Sequence, residues 1–255
     1  MLVASLALMV LVGCESDEEI AQDMERSLRE ANVALLGALV SAEVLVHVYE
    51  EPDRELRHGY EICGCPCTER IGSAAPYVMT LDYDPAGCVP ESGLLSTAMA
   101  GHATVDFDGN ECNVSWDGLK FALEHDVTGA LKGTVVETDR TTIEARGVVE
   151  VGDQGISLDL RLVVDARGLT LDGEATVASD DPRPITFRGV ELEFDEIAPP
   201  CPAPTVGSVT RANLDNEKKD VVISFADPGD GFVKVERDGR VSESADWCAY
   251  TSDLW

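Results

Sequence analysis

Three thiols fall within five residues at Cys63-Gly64-Cys65-Pro66-Cys67, and Cys88, Cys112, Cys201 and Cys248 follow at wide intervals. Thiolates this close could converge on a soft ion, Cu(I) or Zn. The nearest imidazole, His58, lies five positions upstream, and the paired Cys-x-x-Cys knuckles of structural zinc sites are absent. The same residues could instead form disulfide staples, or act in thiol redox chemistry. Which reading holds depends on the compartment, because disulfides persist in oxidising surroundings.

Two further groups have the composition of a site. Asp106-Phe107-Asp108-Gly109-Asn110 places oxygens at alternate positions, with Asp117 at the twelfth, like the opening of a calcium loop. Glu111 stands where such a loop needs glycine, and the flanks alternate with period two, so a hairpin turn on Asp-Gly explains the residues without a metal. Glu124-His125-Asp126 could orient an imidazole for base catalysis, yet a polar turn has the same composition. The remaining histidines, His47, His58 and His102, are scattered, and no nucleophile elbow, Walker loop, dinucleotide fingerprint or His-Glu-x-x-His is present. Neither a catalytic site nor a cofactor or metal is expected. Carboxylate pairs such as Asp82/Asp84 and Glu191/Glu193 read as the exposed face of strands.

The compartment is indicated by the N-terminus. Leu2 to Gly13 carries no charge and ends in Leu11-Val12-Gly13-Cys14, after which the chain turns at once to Glu15-Ser16-Asp17-Glu18-Glu19. The apolar run is too short to span a bilayer core. The four-residue pattern resembles the lipobox of bacterial lipoproteins, in which the cysteine is diacylglyceryl-modified and becomes the mature N-terminus. The resemblance implies that residues 1–13 are a signal peptide, that Cys14 is the lipid attachment site and that residues 14–19 form a solvated tether. No Lys or Arg precedes the run, and a start codon upstream would supply one. Glu15 rather than Asp after the cysteine implies the outer membrane of the cell envelope.

In that compartment the seven further cysteines read as disulfide candidates. Cys201 and Cys248 bracket the C-terminal segment and are expected to pair. The other five, Cys63, Cys65, Cys67, Cys88 and Cys112, then give two bridges and one spare.

A formal net charge of -29 excludes nucleic acid as a partner, since phosphate binding needs a basic face, and disfavours electrostatic docking on anionic lipid. The partners left are the membrane, reached through the lipid on Cys14, and an envelope protein or an apolar ligand.

Several elements must position these residues. Ile20, Met24, Leu28, Ala31, Leu35, Leu39, Ala42 and Val46 recur at helical spacing, predicting a core-packing helix from Glu18 to about Tyr49. With a Cys-rich connector it fills residues 20–76. From Tyr77 the period becomes two. Alternating runs include Tyr77–Tyr83, Ala103–Phe107, Leu119–Leu123, Ile143–Val151 and Ile156–Val164. Short turns at Asp117-Gly118, Thr138–Arg140, Gly152–Gly155, Asp165–Gly168 and Asp180–Pro184 separate the runs, and a parity slip at Gly189 predicts a bulge. Residues 77–198 are thus an antiparallel meander, and 199–255 a C-terminal β extension of it.

The predicted fold is α+β, mostly β: one long N-terminal helix followed by a curled meander of about eight or more strands. Thr-Leu-Asp-Tyr, Gly-Cys and Ser-Gly within residues 77–201 resemble a loose group of secreted bacterial β-rich lipoproteins, which implies a non-catalytic structural or binding role. A curled sheet under one helix also resembles the half-barrels that carry lipids or lipoproteins through the periplasm, which implies an apolar ligand. An unrecognised hydrolase is the third reading.

Overall fold

The computed structural model describes residues 15–50, 60–62, 64–71, 75–90, 98–109, 111–121, 125–135, 142–164, 168–193, 204–214, 216, 219–225 and 232–247. One helix, α1 (Asp17–Glu50), precedes fourteen strands. They are β1 (Tyr60–Ile62), β2 (Cys67–Ile71), β3 (Tyr77–Cys88), β4 (Met99–Asp108), β5 (Glu111–Phe121), β6 (His125–Val135) and β7 (Thr142–Val151). Then come β8 (Gln154–Val164), β9 (Gly168–Val177), β10 (Pro184–Glu193), β11 (Val206–Arg211), β12 (Val221–Phe225), β13 (Phe232–Arg237) and β14 (Arg240–Asp246). Each strand pairs antiparallel with the next in sequence, with no crossover, so the fold is the helix-plus-curled-meander expected.

The residues around Ser16 explain where α1 starts. The Glu19 backbone N–H donates to Ser16 Oγ at 3.2 Å, and the Ser16 backbone N–H donates back to Glu19 Oε2 at 2.7 Å, a reciprocal capping box. Asp17, Glu18 and Glu19 supply negative charge to the first turn, where the helix dipole favours it. The stretch expected to be a solvated tether is therefore built into the fold from Glu15 onward.

Up to Arg29 the helix is amphipathic: Ile20, Ser27 and Leu28 are buried while Gln22, Glu25 and Arg29 face water. From Glu30 to Val48 every residue is buried. A stripe laid on one sheet face would leave half of these in solvent, so the sheet must go round the helix. Its width allows this. Fourteen strands at about 4.8 Å give about 67 Å, close to the ~63 Å circumference of a sheet drawn about 10 Å from the helix axis. Among the described residues β1 and β14 do not pair with each other, so the sheet is curled rather than closed.

The inward faces of the strands meet α1 in one core that runs from Tyr77, Met79 and Leu81 on β3 to Val233 and Val235 on β13. Contact is closest on β7–β9 and β11–β13. There Gly37 lets the helix approach, since a Cβ on it would lie 2.7 Å from Ile156 Cδ1.

Four expectations change. Residues 50–76 are more than a connector, because β1 and β2 add two strands to the sheet edge. On β2 the polar Thr68 and Arg70 face inward, Arg70 stacking 3.6 Å over the Tyr77 ring, so no apolar alternation marks it. Asp117-Gly118 does not separate strands but forms a bulge inside β5, where the register shifts between Trp116 and Leu119 and Gly118 has φ +66°. β6 was hidden because glycines take inward positions on it; Gly129 lies under the Trp116 indole, whose Cζ2 would be 2.5 Å from a Cβ there. His125 accordingly opens a strand rather than sitting in a turn. The bulge at Gly189 is present, with a register shift between Phe187 and Val190, and β11–β14 continue the same sheet.

Curling the sheet this tightly brings backbones together. Gly173 on β9 has φ +124°, and a Cβ there would meet Asp159 O of β8 at 2.3 Å. Gly173→Ala is expected to cost about 1–3 kcal/mol through the strained dihedral alone, and more if β8 must shift, read as a lowered midpoint in urea unfolding.

Candidate functional site

Of the residues singled out in the sequence, Leu11, Val12, Gly13, Cys14, His58, Cys63, Glu124, Cys201 and Cys248 lie outside the described residues, so the expected Cys201–Cys248 pairing does too. Cys65 and Cys88 form a disulfide with a Cα–Cα distance of 5.9 Å. It ties the entry of β2 to the end of β3. Cys67, on β2, is half-buried, whereas Cys112 is fully buried among the core residues. Among the described residues no group of three or more His, Cys, Asp or Glu side chains is placed to hold a metal ion.

The calcium-like segment is a hairpin end. Asp108 pairs with Glu111 across a turn in which Gly109 has φ +72°. Asp106 lies opposite Asn113, and Asp117 is four residues farther along β5, about 13 Å away. These carboxylates do not converge. His102 is exposed on β4 opposite Asp82, also exposed.

The structure instead concentrates its chemistry at the two ends of α1. At the N-terminal end two buried arginines from the sheet meet the carboxylates of the helix. Arg211, 1% exposed, donates from Nε to Glu30 Oε2 at 2.5 Å and from Nη1 to Asp23 Oδ1 at 3.3 Å. Arg237 is ion-paired with Asp23 at 2.7 Å and with Glu15 at 2.9 Å. Lys219 also donates to Glu15, at 2.8 Å, and Arg240 pairs with Asp17. The hydrogen bond from Lys219, followed by the charge of Arg237, holds the Glu15 carboxyl below its usual range. Asp181, bonded by Arg183 at 2.7 Å, is lowered in the same way. The helix can thus carry carboxylates into the sheet because each finds a cation there.

The other end is almost dry. Glu43 and His47, four residues apart on α1, are 0% and 4% exposed, and His47 Nε2 lies 3.0 Å from Glu43 Oε1. The Tyr83 ring meets the imidazole edge-on, with centroids 6.3 Å apart. The Tyr83 hydroxyl has no hydrogen-bond partner, and burial, then the nearby Glu43 charge, raises its pKa well above 10.0. A carboxylate holding an imidazole beside a phenol has the parts of an acid–base relay, but these parts are sealed from solvent. Sequence reading missed the pair because His47 looked isolated; the signal was Glu43 one turn before it in an otherwise apolar stretch.

Between the two ends Asn32 donates through Nδ2 to the carbonyls of Leu28, at 3.0 Å, and of Trp247, at 3.4 Å, joining the helix to the residue that follows β14. No protein-family model, curated protein or solved structure matches the chain.

Two outcomes are expected. Arg211→Ala leaves Glu30 buried without compensation, Asp23 keeping Arg237, and lowers stability by about 3–5 kcal/mol, a loss that Glu30→Gln in the same chain partly restores in denaturant titrations. Tyr83→Phe removes a buried hydroxyl that has no partner, so it is neutral or stabilising by up to about 1 kcal/mol. Because the folded-state pKa of Tyr83 is raised, the wild type is fully stable below the unfolded tyrosine value near 10.0 and loses stability as pH rises beyond it. Tyr83→Phe flattens that alkaline decline, measured by unfolding at pH 9 to 11.

Proposed function

We propose that the chain is a lipid-anchored protein of the bacterial cell envelope, held through Cys14, with a non-catalytic structural or binding role. The observation that carries the reading is how close the contacts of the described residues come to Cys14. Glu15, covalently next to Cys14, is already gripped by Lys219 and Arg237, and Ser16 caps α1. Contacts that reach the residue next to Cys14 are compatible with Cys14 as the mature N-terminus.

The outer face of the sheet supports the same reading. Asp82, Asp84, Asp106, Glu144, Glu150, Asp159, Glu174 and Glu191 are exposed along it. Such a face belongs in water and is costly against lipid tails, so the attachment falls to the anchor. The concave face that a carrier would offer to an acyl chain is occupied by α1, which favours a structural or binding role over carriage. The Glu43–His47 pair is as enclosed as the core around it, which favours a structural role for that pair as well.

Cys14→Ser tests the reading in the full chain, produced in a bacterium that processes lipoproteins. The wild type is expected in the membrane fraction, with a mass matching cleavage after Gly13 plus acyl groups. Cys14→Ser is expected to keep residues 1–13 and to gain no acyl mass. A wild-type chain that is soluble and unacylated overturns the proposal.

A further inference from the structure

We infer that Arg70 is the receptor for a carboxylate brought by a ligand, entering beside the β1 edge of the sheet. The inference stands apart from the anchored reading and gives the binding role a ligand chemistry. Three arginines are buried among the described residues: Arg70, Arg211 and Arg237. The chain places carboxylates against two of them, Glu30 and Asp23 against Arg211, and Asp23 and Glu15 against Arg237. No described carboxylate pairs with Arg70, which is 7% exposed, and its Nε is sealed from water without a hydrogen-bond partner. In a chain of 48 acidic residues, the difference is not a shortage of carboxylates.

The Tyr77 ring, 3.6 Å from the Arg70 Cζ and stacked on Phe107, makes the burial tolerable, because a ring face attracts a cation. It supplies no oxygen for the five N–H donors of a guanidinium. A buried ion is fully compensated only when an opposite charge and hydrogen bonds together replace the water it lost. Arg70 faces inward on β2, opposite Met79 of β3, and only the three residues of β1 lie between it and the edge of the sheet. Packing of α1 is closest elsewhere, on β7–β9 and β11–β13. Nη1 and Nη2 are not among the sealed atoms, so the outer end of the guanidinium is the part that meets a ligand. Thr68, two residues away on the same inward face, adds a hydroxyl about 7 Å along the strand. One cation beside apolar neighbours matches one negative charge, and its planar fork matches a carboxylate. A phosphate monoester, with ~1.5 to 2 charges, is left partly unmatched.

Equilibrium dialysis of the full chain against labelled acetate, octanoate, octanol and inorganic phosphate tests the assignment. The wild type is expected to bind one equivalent of acetate or octanoate, with phosphate weaker than acetate and octanol weaker than octanoate. Octanoate binding more tightly than acetate assigns the site to an amphiphile, and equal binding assigns it to a small free acid. Arg70→Met is expected to weaken carboxylate binding about tenfold or more, the loss of a charge-assisted fork. Arg146→Met, which removes an arginine exposed on the outer face, is expected to leave binding unchanged. Arg70→Lys keeps the charge without the fork and is expected to fall below the wild type, which preserves the comparison if Arg70→Met does not fold. The proposal is overturned if the wild type binds neither carboxylate, or if octanol or phosphate binds as tightly as the carboxylates. Wild-type affinity in Arg70→Met or in Arg70→Lys overturns it as well.

Discussion

Enclosing α1 is the constraint from which the rest of the structure follows. A helix buried on every side from Glu30 to Val48 cannot be satisfied by one flat face, because the far half of its circumference would stay in water. Hiding it takes a sheet wide enough to go round, and fourteen sequential hairpin strands provide that width without a single crossover. Curvature of that degree brings neighbouring backbones close at Gly147 and Gly173, where a Cβ would meet a carbonyl oxygen of the adjacent strand at 2.1 and 2.3 Å. The fold therefore spends glycine at strand positions where packing alone would favour a β-branched residue.

The same enclosure decides the electrostatics. A carboxylate drawn inside must find a partner or be neutralised, and each one does so by a different local route. Asp23 and Glu30 meet Arg211 and Arg237, which project from the ends of β11 and β13. Glu43 meets His47 one turn along its own helix. Outside, the many carboxylates of the strands stay in water and need no partner. The buried charge pairs thus gather on the helix and where it meets the sheet, whereas pairs on the outer face such as Arg146–Asp159 and Lys132–Glu111 stay exposed to water.

The fold was legible wherever apolar alternation was intact. β8, with Ile156, Leu158, Leu160 and Leu162 inward and Ser157, Asp159 and Arg161 between them, could be read directly from its period of two. β2 and β6 could not, because the inward positions hold Thr68 and Arg70 in one and Gly129 and Gly133 in the other, residues whose role depends on what lies across the strand pair. Arg70 is tolerated inside because the Tyr77 ring lies beneath its guanidinium, and Tyr77 in turn stacks on Phe107. Gly129 is required because Trp116 lies over it. Both partners lie on the neighbouring strand, where the period of a single run does not show them. Asp117-Gly118 misled for the complementary reason: the dipeptide that makes a hairpin turn also makes a bulge, and only the pairing of Trp116 with Gly129 and Leu119 with Val127 distinguishes them.

By itself the sequence determined the helix, the antiparallel meander and the acidic outer face, because periodicity and charge are local properties of the chain. Tertiary structure decided that the helix lies inside the sheet rather than on it, that Glu15 belongs to the fold rather than to a tether, and that Glu43 and His47 share one dry site with Tyr83. Those outcomes depend on the sheet's curvature and on partners as distant as Lys219, Arg211 and Arg237. Curvature is the summed effect of many strands, and no window of residues contains it.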